Sequence, residues 1–83
     1  MSSQTKPLAL VLYTGPHCEL CDHAMEVYRE LSPVNTSLES LNIREDTELY
    51  HRYAVRIPVI KRMDTQAELG WPFDVKMLEQ FLQ

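Results

Sequence analysis

The stretch Leu8–Cys21, LALVLYTGPHCELC, decides how the rest of the chain is read. Leu8–Tyr13 is continuously apolar, the pattern of a central strand covered on both faces. Thr14-Gly15-Pro16 is turn chemistry. Two cysteines then follow at C-x-x-C spacing, and helical periodicity begins at once. The expected local structure is a buried strand, a tight turn and a helix whose first turn carries two thiols. A helix N-terminus has unpaired N–H groups and the positive end of the macrodipole, so it stabilises a thiolate. The thiolate is the nucleophile of disulfide exchange, and this motif in this place lowers its pKa. Cys18, nearer the turn, is therefore the candidate attacking thiol. Cys21 lies one helical turn back, within reach to resolve a mixed disulfide.

C-x-x-C spacing is shared by redox motifs, by half of a zinc site and by copper sites. A structural zinc site wants four ligands. His17 and His23 are on offer, but neither has the spacing of a second ligand pair, and there is no second C-x-x-C. His17, protonated beside Cys18, would stabilise its thiolate; it reads equally as a solvated loop histidine. Glu19 pulls the other way, because a neighbouring carboxylate raises a thiol pKa.

The chain has 83 residues, one domain's worth, with 45% apolar residues and a net charge of −4. Mixed charge with an acidic balance argues against a general nucleic-acid binder. No run approaches the ~20 apolar residues of a membrane span. Lys6 with Leu8–Leu12 is too short for a signal peptide, has no small-residue cleavage site and leads straight into the motif. Two cysteines are too few for a secreted disulfide scaffold, and a single C-x-x-C is expected to work as a dithiol in a reducing, cytoplasmic compartment. Residues 1–6 are polar and expected to fray.

Along the chain, Cys21, Ala24, Val27, Tyr28 and Leu31 recur at helical spacing until Ser32-Pro33 stops the helix. A second strand is expected over Ser37–Ile43. Asp46 is an N-cap for a short helix over Thr47–Tyr53, with Leu49 and Tyr53 on its packed side. Ile57–Ile60 reads as strand except for Pro58, which moves the strand start past it and fits a cis Ile57–Pro58 bond. Ile60–Met63, a turn over Asp64-Thr65-Gln66 and Ala67–Trp71 form a hairpin. Asp74 caps a last helix, with Phe73 and Leu78 placed for a hydrophobic staple and a buried stripe of Met77, Leu78, Phe81 and Leu82. The order is β-α-β-α-β-β-α. Each β-α unit is expected to set the next strand parallel through a right-handed crossover, and the hairpin adds antiparallel strands. Ligands bind such sheets beyond the carboxyl end of a strand, where the C-x-x-C lies.

With these pieces in place the chain resembles the thioredoxin fold in its minimal, glutaredoxin-sized form, over about Leu8 to Leu82. Pro16-His17-Cys18-Glu19-Leu20-Cys21-Asp22, Arg56-Ile57-Pro58-Val59 and Trp71-Pro72-Phe73-Asp74 are similar to a family of small bacterial glutaredoxin-like proteins. The resemblance implies an α/β fold: a four-stranded mixed sheet with helices on both faces. It implies that Cys18 attacks, that Cys21 resolves, that Pro58 is cis and packs against the cysteines, and that the Ile57 backbone pairs with a bound peptide or glutathione. His17 joins Ile57 and Pro58 as a substrate-facing residue. No tightly bound cofactor is implied; glutathione enters as a co-substrate. The implied partners are a disulfide-containing protein or glutathione, with a thioredoxin-reductase-type reductant as the other source of electrons, and the protein acts as a monomer. The pattern departs from dithiol glutaredoxins in having Glu19-Leu20 for Pro-Tyr, Gly15 for a lysine, Arg56-Ile57-Pro58 for Thr-Val-Pro, and Gly70-Trp71 or Trp71-Pro72 for Gly-Gly. Two other functions fit a C-x-x-C on such a fold: a copper, zinc or iron–sulfur carrier, and a non-catalytic interaction module.

Overall fold

Strand β1 (Leu8–Thr14) is the spine of the molecule, and its alternation creates two cores. In the computed structural model, which describes residues 7–83, Leu10 and Leu12 point to one face while Val11 and Tyr13 point to the other. The fraying expected for residues 1–6 lies outside the described residues. Helix α1 (Glu19–Leu31) and helix α3 (Val75–Phe81) cover the first face, with Ala24 and Leu78 fully buried against Leu10, Leu12 and Ile60. Helix α2 (Thr47–Tyr53) and a 3-10 turn (Ile43–Glu45) cover the second, with Tyr53 and Ile43 buried against Val11, Tyr13 and Val59. Helices on both faces explain why this strand has no polar side.

The sheet order is β2-β1-β3-β4, with β2 (Thr36–Asn42), β3 (Val59–Arg62) and β4 (Glu68–Gly70). β1 and β2 are parallel, Leu8 facing Thr36 and Thr14 facing Asn42. β3 runs antiparallel to β1, with Tyr13 facing Val59. The second β-α unit therefore does not add a parallel strand, which corrects the expectation of two parallel pairs. The reversal has a direct consequence. β3 begins where β1 ends, so Pro58 enters the sheet at the same end as the turn leading to Cys18.

The helix ends obey local chemistry. The Asp46 side chain accepts from the Glu48 and Leu49 amides and starts α2. Asp74 accepts from the Met77 amide at 2.8 Å and starts α3, with Phe73 and Leu78 buried together as the expected staple. Ser32 ends α1 in the left-handed conformation, its N–H donating to the Tyr28 carbonyl. Several details differ from expectation. Ile43 leaves β2 for the 3-10 turn, because the Asn42 side chain accepts from the Arg44 amide and caps a turn there. β4 is confined to Glu68–Gly70, and Pro72, which has no N–H to donate, follows it. Met77 is exposed, so α3 packs with Leu78 buried and with Phe81 and the C-cap Leu82 partly buried. Arg62 secures the far end of α3: its Nη1 donates to the Phe81 and Gln83 carbonyls while Nε and Nη2 hold Asp64.

Candidate functional site

Cys18 is the N-cap of α1, in extended backbone, and helical residues begin at Glu19. Its Sγ accepts from the Cys21 amide at 3.1 Å. Cys18 and Cys21 are joined as a disulfide, with Cα atoms 5.2 Å apart, inside the range the bond requires. The two differ in access: Cys21 is buried at 4% exposure, whereas Cys18 is half-buried. The tight turn before the pair puts His17 in the left-handed region at φ 54°, uncommon outside glycine, and leaves its ring in solvent beside Cys18. Glu19 and Leu20, between the cysteines, are both exposed. His23, on the next turn, lies 6.5 Å ring to ring from Trp71.

The second part of the site is the entry to β3. The Ile57–Pro58 bond is cis and Pro58 is fully buried. The Pro58 carbonyl accepts from the Trp71 amide at 3.1 Å, tying the β4–α3 connection to the same end of the sheet. Trp71 packs edge-on against Phe73 at 5.0 Å and joins the first core, so it is a packing residue. Ile57 rests against the turn before the cysteines: a Cβ on Gly15 would stand 3.0 Å from Ile57 Cδ1. Gly15 has an ordinary negative φ, so glycine is suited here by close approach and not by turn geometry. The expected set of Cys18, Cys21, His17, Ile57 and Pro58 thus gathers at one end of β1. A groove of about 190 Å³ continues from it, lined by Gly15, Pro16, Ile57, Ala54, Tyr50 and Arg44.

A polar network behind Ile57 was not legible in the sequence. Tyr53, the last residue of α2, is fully buried and stacks on Tyr13 at 4.3 Å. Its hydroxyl donates to Glu68 on β4, and Arg56 Nη2 donates to the other Glu68 oxygen at 2.9 Å. The Arg56 guanidinium lies over the Tyr53 ring, 5.2 Å from its centroid. Burial, with Glu68 beside it, pushes the Tyr53 phenol up to about 12. The Tyr53 hydroxyl, aided by Arg56, holds Glu68 below the usual carboxylate range. These residues are 12 and 15 positions apart, beyond any periodic signal. Among the described residues no group of three or more His, Cys, Asp or Glu side chains converges as metal ligands would, and His17 and His23 do not assemble with the cysteines into a four-ligand cage. No helix among them is long and apolar enough to cross a membrane.

Comparison with known proteins agrees with this geometry. The fold is similar to the crystal structure of protein XcR50 from X. campestris, with a TM-score of 0.80 at 34% identity, covering 88% of this chain and 93% of that one. It is also similar to the solution structure of protein Ne2328 from Nitrosomonas europaea, with a TM-score of 0.80 at 28% identity over 100% of both chains. The N-terminal domain of Synechococcus elongatus SasA shares the fold alone, at 17% identity and a TM-score of 0.62, covering 98% of this chain and 81% of that one. No functionally curated protein matches the chain. The sequence profile described as "Glutaredoxin-like domain (DUF836)" matches residues 9–83, which takes in the paired cysteines, Pro58 and helices α1, α2 and α3. On that match the chain belongs to the glutaredoxin-like domain family, a thioredoxin-fold, redox-type protein with its two cysteines paired.

Proposed function

We propose that the protein is a thiol–disulfide oxidoreductase. The observation that carries the reading is the asymmetric pair: a half-buried Cys18 at the N-cap of α1, bonded to a buried Cys21 one turn further on. In the reduced protein the Cys18 thiolate sits where the Cys21 amide already points. It attacks one sulfur of a substrate disulfide; that S–S bond breaks, and the leaving thiolate takes up a proton. Cys21, as thiolate, then attacks Cys18 Sγ, which forms the Cys18–Cys21 bond and releases the second substrate thiol. The substrate gains two electrons and the dithiol loses two. An external thiol reductant, either glutathione or a thioredoxin-reductase-type enzyme, returns the dithiol. The Ile57 carbonyl faces the arriving peptide with Pro58 packed behind it, His17 borders Cys18 from the solvent side, and the groove toward Tyr50 and Arg44 receives the flanking chain. A dithiol that cycles in this way belongs in a reducing, cytoplasmic compartment.

Single-cysteine variants test the roles. Cys18→Ser abolishes turnover of a disulfide substrate, and Cys21→Ser accumulates a mixed disulfide on Cys18, read by mass spectrometry. Equal residual activity in the two variants refutes the assignment. Equilibration against glutathione buffers gives the companion measurement: a reversible two-electron midpoint with transient adducts on Cys18 only.

A further inference from the structure

We propose that Glu68, which lies outside the cysteine motif, is a positioning residue: by bridging Tyr53 and Arg56 it fixes the backbone of Ile57 that a peptide substrate meets. The proposal rests on the oxidoreductase reading above and deepens it. Ile57 precedes β3, which starts at Val59, so the strand ladder does not hold it. Its placement comes from three other sources. The Tyr53 carbonyl accepts from the Arg56 amide at 2.8 Å and from the Ile57 amide at 3.1 Å, closing a tight turn at the end of α2. Ile57 Cδ1 abuts Gly15 on one side. On the other, Glu68 accepts from the Tyr53 hydroxyl and from Arg56 Nη2, which ties that turn to edge strand β4.

A bland alternative exists: an Arg56–Glu68 ion pair at the surface, worth little beyond a small stabilisation. Two features argue for more. Tyr53 is fully buried and stacked on Tyr13, so its hydroxyl is an immobile donor that fixes the carboxylate. The carboxylate in turn fixes Arg56, the residue directly before Ile57. The order of support therefore runs from the core of β1 outward to the substrate-facing backbone. Without Glu68 the turn keeps its backbone bonds, but the Arg56 side chain is released.

The test uses the full chain, Glu68→Ala and Glu68→Gln, with two substrates. A peptide disulfide has N–H groups to donate to the Ile57 carbonyl; 2-hydroxyethyl disulfide, with dithiothreitol as the reductant for both substrates, has none. Glu68→Ala is expected to raise KM for the peptide disulfide by up to about ten-fold, the factor that loss of one neutral backbone hydrogen bond at Ile57 corresponds to, with kcat held. Its rate with 2-hydroxyethyl disulfide stays at the wild-type value. Glu68→Gln keeps an acceptor for Tyr53 and falls between, and it carries the test if Glu68→Ala fails to fold. Loss of rate on both substrates together, or a lowered melting temperature with an unchanged peptide KM, overturns the proposal and leaves Glu68 a structural residue. Wild-type protein that reduces neither substrate overturns the oxidoreductase reading itself, and the proposal with it.

Discussion

Replacing Tyr53 with phenylalanine removes one oxygen and keeps the ring that stacks on Tyr13 and fills the second core. What is lost is the hydrogen bond to Glu68. A hydrogen bond to a charged group contributes ~1.5–3 kcal/mol when its loss strands the partner. Here Glu68 keeps Arg56 and its side chain is 27% exposed, so water replaces part of the loss and about 1–2 kcal/mol is expected at neutral pH. For a domain of this size that lowers the thermal midpoint by roughly 5–15 °C. The alkaline limb gives a sharper signature. The Tyr53 phenol stands at about 12 in the folded protein, raised first by burial and then by Glu68. A raised value means that the stabilisation is complete below the unfolded value of ~10 and is lost as pH rises toward the folded one. Above the unfolded value the unfolded chain ionises first and gains ~1.4 kcal/mol per pH unit. The gap between wild type and Tyr53→Phe should therefore close near pH 11 and reverse beyond it, while every group common to the two proteins cancels. Urea unfolding of both proteins at matched pH values measures the gap directly. A gap that stays constant from neutral to alkaline pH, or none at neutral pH, refutes the placement of the hydroxyl in a buried, acceptor-paired position.

The contact between the two halves of the site predicts compensation. Gly15→Ala crowds Ile57 Cδ1 and should cost about 1 kcal/mol; Ile57→Val, which deletes that methyl, should recover most of it in the double variant, as a thermal double-mutant cycle would read. Additive losses would mean that the two residues do not touch. In the first core, Leu78→Ala should cost ~2–5 kcal/mol, and Phe81→Ala, only partly buried, about 1–3 kcal/mol. Neither should change the rate at which Cys18 exchanges, and an unchanged melting temperature for Phe81→Ala would refute its place in the core.

Much of this fold is legible because its signals are local. The unbroken Leu8–Tyr13 run announces a strand covered on both sides, and the Asp46 and Asp74 caps mark helix starts to the residue. The cysteine spacing and the Ile57-Pro58 dipeptide likewise mark the two segments that the fold brings to one end of β1. What the sequence does not carry is the direction of β3, since strand direction is decided by pairing between residues far apart in the chain, such as Tyr13 with Val59 and Leu10 with Arg62, and not by any period. The Tyr53–Glu68–Arg56 network is invisible for the same reason: each residue alone reads as an ordinary core aromatic or surface charge. Met77 shows the limit of stripe counting in a short helix. One position off the Leu78–Phe81–Leu82 line it faces water, although its side chain suits a core as well as theirs do.

The direction of β3 is also what makes the site economical in so small a chain. A parallel β3 would deliver Pro58 to the opposite end of the sheet from Cys18. The antiparallel one delivers it beside the turn at Gly15, and the Pro58 carbonyl then fastens the Trp71 loop to the same end. The cores lie behind these loops, on the two faces of β1. The residues between the cysteines are therefore free of structural duty, and Glu19 and Leu20 are both exposed. One influence on the Cys18 sulfur is built into the fold. The N-terminus of α1, with the Cys21 amide aimed at Cys18 Sγ, favours the thiolate and is fixed by the fold. Glu19, the next residue along the chain, faces solvent and takes no part in that arrangement. Substitution at Glu19 or Leu20 is therefore expected to leave both cores intact, and that separation lets one scaffold keep its fold while the residues between the cysteines vary.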